Sequence, residues 1–368
     1  MRKTNQTPRY LLEGKYRMGF FEQSTSFQKI NCAHLSASER LNGHHLYSSS
    51  MESDPPSPRT LAETILRTCA GLKRGERILI AADPRSSSRL QELKQTSLGL
   101  GGIMTYEEIF GGVTREPPGH LAAKMLENDI TLLCVDERRT LLWGHADARV
   151  AAVKKGARVL FLTQEINTTP STPELQEIRN RTNRLGDMLE KTSEIVIVSG
   201  GDSELRVKLA GRKSLRLSSI LSEPGSWGAI PDYAEAAIPP FETGSNGTLR
   251  VDATIVGIGK VDAPVDLHFE SGRLVRIEGD KTALELEKLL SQHDAYARVL
   301  CELGFGTNHL RTQIKGEFDD KKALGSVHIG LGDNHTFGGK NKSDLHIDCL
   351  VSNPKIHFDG NLIDLKSI

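Results

Sequence analysis

Residues 325–348 read GSVHIGLGDNHTFGGKNKSDLHID and set three imidazoles and three carboxylates within twenty-four positions. Val327, Ile329 and Leu331 suit a strand, the glycine-rich polar run 332–343 cannot hold one, and the apolar pattern resumes through Leu345, Ile347 and Cys349. Because a strand alternates faces with period two, His346 and Asp348 share one face and Leu345, Ile347 and Cys349 the other. In the first strand His328 lies opposite Val327 and Ile329. If the two strands are neighbours, two imidazoles and a carboxylate converge without long flexible arms, a donor set suited to a borderline divalent metal. Taken singly, a strand histidine is more often a core or edge residue than a ligand, Gly338–Gly339 is as easily a turn as a site, and His335 in the loop reads as solvated. The carboxylate is what separates His-x-Asp from ordinary packing, since on a buried strand it needs a partner.

Two further carboxylates stand upstream. Glu302, in CELGFGTN, has an apolar residue on each side and glycines after it, where a charge calls for something cationic. Glu235, in AEAAIPP, precedes a stretch that alternates apolar and polar residues with turns at Ser245-Asn246-Gly247 and Ser271-Gly272, an antiparallel meander. Glu235, Glu302, His328, His346 and Asp348 together give three carboxylates and two imidazoles, a set that suits a two-metal hydrolytic centre better than one structural ion. One helix, ALELEKLLSQH (283–293), interrupts the meander, and a last hairpin, IHFDGNLIDL (356–365), turns on Asp359-Gly360.

The part before residue 222 has a different rhythm. SPRTLAETILRTCAGL (57–72) reads as a helix with Ser57 as N-cap and Pro58 at its first position. Short apolar strands (RILIAAD, GIMTYEEI, ITLLCVD, ARVLFLT) then alternate with helical segments, and a long amphipathic helix over 173–191 leads to EIVIVSG. That alternation predicts a doubly wound, mostly parallel α/β sheet completed by EIVIVSG. The first strand is followed by DPRSSS, with neither G-x-G-x-x-G nor a Lys-Ser/Thr glycine loop, so the scaffold is expected to bind no nucleotide. The organisation expected is a disordered extension over 1–56, an α/β (Rossmann-like) domain over 57–222, and an α+β, largely antiparallel metal-site domain over 223–368. Met51, at the edge of the first organised segment, suits an over-extended gene start.

Composition limits the partners. Of 368 residues, 47 are basic and 47 acidic, with no basic block, which argues against nucleic-acid binding and against electrostatic membrane anchoring. The 5 cysteines are widely spaced, without a C-x-x-C, which disfavours a disulfide framework and a thiolate zinc site. No apolar window is long enough to span a membrane and no secretory leader is evident, so a cytoplasmic location is expected.

The runs FETGSNGTLRVDATI (241–255), ELGFGTN (302–308), VHIGLGDN (327–334) and GGKNKSDLHID (338–348) together resemble the C-terminal domain of the thermophilic aminopeptidase family, aminopeptidase T and its leucyl aminopeptidase relatives. The α/β half is similar to that family's N-terminal domain, so the resemblance covers about 57–368. The family's ligand pattern of two glutamates, a histidine and His-x-Asp falls on Glu235, Glu302, His328, His346 and Asp348. It implies a homodimeric metallo-aminopeptidase with two divalent ions (zinc, cobalt or manganese), Glu235 and Glu302 serving also in catalysis, and a small peptide as substrate. The family's Gly-Glu-Val is Ala234-Glu235-Ala236 here. Where the family has a catalytic tyrosine this chain has His335, and on the hydrolase reading His335, or a glutamate not fully committed to metal, is expected to relay the proton to the leaving amine. The chain is also similar to the 2,5-dihydroxypyridine dioxygenases, which hold a single Fe(II). That branch carries a histidine at the position of Glu302 and a serine near Gly330. For this branch the implied substrate is a small dihydroxylated ring. A metal-free or catalytically degenerate relative is the third expectation.

Overall fold

The computed structural model describes residues 60–84, 87–162, 169–209, 211–231 and 233–368. The extension expected over 1–56 and the helix start at Ser57 and Pro58 lie outside them. Helix α1 (Leu61–Glu63) is capped by Thr60, whose hydroxyl accepts the Glu63 N–H at 3.3 Å, and it continues as wider turns over Thr64–Cys69.

The first half alternates as expected. Strand β1 (Arg77–Ala82), helix α2 (Ser87–Gly99), β2 (Ile103–Glu108), α3 (Gly119–Glu127), β3 (Ile130–Cys134), α4 (Glu137–Gly144), α5 (Asp147–Lys154) and β4 (Arg158–Leu162) follow in turn. Both faces of β3 and β4 are buried, which is why their sequences are continuously apolar. Helix α6 (Thr172–Lys191) opens on a capping box, with Ser171 and Glu174 satisfying each other's backbone N–H groups.

Beyond α6 come β5 (Glu194–Ser199), β6 (Ser203–Lys208), β7 (Leu215–Ser218), β8 (Trp227–Ile230), β9 (Ala234–Ile238), β10 (Ser245–Val251), β11 (Thr254–Ile255) and β12 (Gly259–Lys260). The chain then runs through β13 (Val265–Glu270), β14 (Arg273–Glu278), helix α7 (Lys281–Leu290), β15 (Leu300–Gly306), β16 (Val327–Gly332), β17 (His346–Val351), β18 (Lys355–Phe358) and β19 (Asn361–Ile363). The β18–β19 turn is the expected Asp-Gly one: Asp359 at φ 46° and Gly360 at φ 85° both take the left-handed conformation that such a tight hairpin requires.

The strands form three sheets. A parallel sheet has the order β2-β1-β3-β4-β8, and two antiparallel sheets run β14-β13-β10-β6-β5-β18-β19 and β12-β11-β17-β16-β15-β9-β7. EIVIVSG does not complete the parallel sheet as its apolar run suggested. As β5 it pairs antiparallel with β6 and β18, and the fifth parallel strand is β8, WGAI. A strand buried on both faces reads the same whichever sheet it joins, and here tertiary pairing decided. The halves expected at 57–222 and 223–368 therefore interleave: β5, β6 and β7 lie in the antiparallel sheets and β8 in the parallel one.

The two antiparallel sheets pack face to face. Ile238, Leu303, Phe305, Ile329, Ile347 and Cys349 from one meet Ile197, Leu205, Val207, Leu249 and Leu267 from the other, with α6 and α7 closing the ends. Burying each such side chain contributes roughly 1.5–3 kcal/mol, so this face holds the sheet in place whatever its other face carries. No helix among the described residues is long and apolar enough to cross a membrane.

Candidate metal centre

The face of β9, β15, β16 and β17 turned away from that core carries the polar residues. Cross-strand register fixes the set: Glu302 pairs with Gly330, Gly304 with His328, Gly330 with Asp348 and Gly332 with His346, while Glu235 pairs with Gly306. Period two in each strand thus brings Glu235, Glu302, His328, His346 and Asp348 onto one surface, all buried.

Glycine makes room for them. A Cβ at Gly304 would lie 2.2 Å from the His328 ring, and one at Gly330 would lie 2.8 Å from Glu302 Cβ and 3.1 Å from His346 Cε1. The glycines that break up the apolar pattern of ELGFGTN and VHIGLGDN are thus the floor on which the imidazoles lie.

The donors fall into two triads sharing Glu302: Glu235, Glu302 and His328, and Glu302, His346 and Asp348. His328 Nε2 lies 3.3 Å from Glu235 Oε2 and 3.6 Å from Glu302 Oε1. His346 Nε2 lies 3.0 Å from Glu302 Oε2 and 3.2 Å from Asp348 Oδ1. Glu235 Oε2 and both ring nitrogens of His328 are buried without a hydrogen-bond partner among the described residues. Buried polar atoms are almost always satisfied, and a divalent cation would satisfy Glu235 Oε2 and His328 Nε2, so the donor set fits such an ion.

The arrangement contains residues that the pattern-based reading overlooked. Lys321 and Lys322, on the 3-10 turn Phe318–Lys322, are buried and form ion pairs with Asp348 and Glu235 respectively. Lys322 Nζ also lies 3.9 Å from the centre of the Tyr233 ring. His145, just after α4, stacks on His346 with ring centroids 4.3 Å apart and accepts or donates a hydrogen bond with Thr336 Oγ1 at 3.2 Å. The pair KK in DDKKALG reads as a solvated charge run, and the lone histidine of WGHADA carries no spacing to a partner. Only an apolar residue on both sides of each would have hinted at burial.

Charge states follow from this packing. Burial disfavours an imidazolium at His346, yet Cys301 and the Asp348 carboxylate outweigh it and hold the ring well above its ordinary value. Against the same cost of burial, His328 and His346 hold Glu302 well below the carboxylate range, and Lys321 and His346 do so for Asp348. His145 is pushed the other way, by burial and then by the charge on His346, and stays neutral. Burial pulls Lys322 down to about 8, with Glu235 opposing, whereas carboxylates led by Asp348 keep Lys321 well above its usual value despite burial.

His335 stands apart from the cluster. Its Nδ1 lies 2.6 Å from Asp333 Oδ1 and its Nε2 3.4 Å from Asp147 Oδ1, so the proton relay expected of it has no contact with the five donors. A narrow cleft of about 40 Å³ reaches the centre instead, lined on its polar side by Glu235, Glu302, His346, Lys321, Tyr233 and His145. Its walls are apolar and aromatic: Leu141, Phe161, Leu215, Leu217, Trp227 and Phe318.

Two solved structures illustrate the architecture that this chain shares. The 2,5-dihydroxypyridine dioxygenase from Pseudomonas putida KT2440 matches with a TM-score of 0.66 and 16% identity, over 84% of this chain and 100% of that one. Wild-type AmpT from Thermus thermophilus matches with a TM-score of 0.60 and 16% identity, over 82% of this chain and 96% of that one. At such identity the likeness shows the fold. No curated protein matches the chain. The family model described as NicX, 2,5-dihydroxypyridine 5,6-dioxygenase, matches residues 120–366, a stretch that contains every residue of the buried cluster. On that match the chain belongs to the NicX family.

Proposed function

We propose that the chain is a metal-dependent hydrolase acting on a small peptide or amide through the cluster of Glu235, Glu302, His328, His346 and Asp348. The observation that carries this reading is the position of Glu302, one oxygen toward His328 at 3.6 Å and the other toward His346 at 3.0 Å, at the junction of two triads. The five residues are those on which the aminopeptidase pattern falls, and the fold is shared with AmpT. A divalent ion held by these residues supplies Lewis acidity and a water acidified toward neutral pH.

The chain's own groups account for the remaining roles. The apolar walls exclude water and take an uncharged side chain or ring. Lys321, an ammonium paired with Asp348, lines the cleft and is the group that would offset negative charge building on a scissile carbonyl. His145 is neutral and lines the cleft. With Nδ1 engaged by Thr336, Nε2 is the atom that takes a proton from water and returns it to a leaving amine.

Ring-cleaving dioxygenation is the second reading, and family membership favours it. The aromatic lining of Phe161, Trp227, Tyr233 and Phe318 suits a flat ring. Against it, the dioxygenase resemblance puts a histidine at Glu302 and a serine near Gly330, and Glu302 and Gly330 lie directly opposite each other across the β15–β16 ladder. Here they offer a carboxylate and no side chain. The test uses one preparation of the full chain, loaded in turn with zinc, cobalt, manganese and Fe(II). Amino-acid release from a dipeptide series that proceeds equally without dioxygen supports hydrolysis. Dioxygen uptake with a dihydroxylated pyridine, and no release from any peptide, would establish the second reading instead.

A further inference from the structure

A second concave space lies beside the turn Phe318–Lys322, and none of the residues that line it belongs to the metal cleft. We propose that it is a binding site for a small organic acid, an apolar body carrying one carboxylate or phosphate. The inference stands apart from the hydrolase reading and needs no metal.

Size is the first argument. The cavity measures about 370 Å³ against about 40 Å³ for the cleft, and small-molecule sites begin at about 300 Å³. Four separate segments wall it: the loop after β15, the turn before β16, the end of β17 and the stretch after β19. Gly325, at φ 84°, keeps one wall low. A Cβ there would stand 3.0 Å from Lys366 Cε, so the lysine stem lies over the glycine as part of the lining.

Charge is the second. His309, Arg311 and Lys366 line the cavity, and among the described residues no Asp or Glu does. Asp319 meets Arg311 at 2.8 Å, which fixes the guanidinium and cancels one charge. Asp252 is taken up by Ser352, which gives it both its N–H, at 2.7 Å, and its hydroxyl, at 2.6 Å. Lys366 is exposed and pairs with no carboxylate among the described residues. His309 Nδ1 accepts a hydrogen bond from Arg181 at 3.2 Å, so the neutral ring carries its proton on Nε2, one more donor. A concave surface of one sign concentrates ions of the other. Beside these donors stand Ile314, Ala323, Leu324 and Val351. An inorganic ion would use only the polar part of such a lining, whereas an acid with an apolar body uses both.

The test titrates full-length protein, stripped of metal so that no carboxylate can ligate an ion in the cluster, by calorimetry at low ionic strength. The probes are benzoate, its uncharged counterpart benzamide, and inorganic phosphate. Benzoate should bind one site per chain, at least tenfold more tightly than either other probe, and zinc should leave that site in place. Lys366→Met removes the charge, and Thr312→Trp fills the cavity from its exposed rim. Each should weaken benzoate at least tenfold while zinc affinity stays at the wild-type value. No benzoate binding to the stripped chain, phosphate or benzamide binding as tightly as benzoate, or unchanged binding in either folded variant would overturn the proposal. Any of these results leaves the metal hydrolase standing, since that reading is tested by peptide turnover.

Discussion

Gly304 lies directly beneath His328: a methyl group added there would stand 2.2 Å from the imidazole, inside any permitted contact. The glycine and the histidine are cross-strand partners on β15 and β16, so neither backbone can withdraw without breaking the ladder. His328 must be the group that moves. Gly304→Ala should therefore weaken metal binding by at least tenfold and cost about 1–3 kcal/mol of stability through overpacking. Isothermal titration with zinc and urea unfolding measure the two effects, and an unchanged metal affinity would mean that His328 is not a ligand.

Removing the two members of the His-x-Asp pair should have unequal consequences. Ile347 and Cys349 pack the opposite face of β17, so His346→Ala loses metal but keeps the fold. Asp348→Ala also strands Lys321, which is buried against it, and leaving a buried charge without its partner costs about 3–5 kcal/mol. Adding Lys321→Met to Asp348→Ala should recover most of that loss. Chemical denaturation of the single and double variants, all stripped of metal, decides the matter, and equal stability of Asp348→Ala and His346→Ala would contradict it.

The stripped protein should be most stable in mildly acidic solution. His346 is raised above its ordinary value of 6.5, so its contribution is complete below that value and fades as pH rises through the higher folded-state pKa. Glu302 and Asp348 are lowered, so theirs are complete above the ordinary carboxylate range, about 4, and fade as pH falls toward their folded-state values. His145, lowered by burial, works the other way below its ordinary value, since only the unfolded chain takes up that proton, so the maximum in thermal midpoint is expected near pH 6.5 and not at the carboxylate end. Metal must displace the His346 proton, so zinc uptake at neutral pH should release protons into a weak buffer. A stability profile that keeps rising from pH 6 to 9 would show that His346 is not charged in the metal-free state.

His145 offers a test of the cleft chemistry that leaves the ligands alone. His145→Phe preserves a ring against His346 and removes the proton-carrying nitrogens. Metal content should stay at the wild-type value while kcat falls about a hundredfold and the pH dependence of kcat loses one limb. A fall in metal content equal to the fall in kcat would assign His145 to packing around His346.

Much of this site could be read before the fold was known, because period-two strands convert spacing into geometry. His346 and Asp348 are two apart, Glu302 and Gly304 likewise, and the register places Gly330 between Glu302 and Asp348. What resisted reading came from contacts across the chain. Lys321 and Lys322 sit on a 3-10 turn that packs against β15, β9 and β17, none of them adjacent in sequence. His145 meets His346 across two hundred residues, with no local pattern to announce it. β5 was misplaced for a similar reason, since an apolar run declares that a strand is buried and not which neighbour buries it.

Between Leu215 and Ile238 the backbone runs from the third sheet into the first and back again, as β7, β8 and β9. Trp227 and Ala229, which wall the cleft, and Glu235, which belongs to its floor, are thus stations on one short thread. Spreading the cleft by swinging the two sheets apart would tear β8 from β4 or β9 from β15. The seam is sewn along that side by the chain itself.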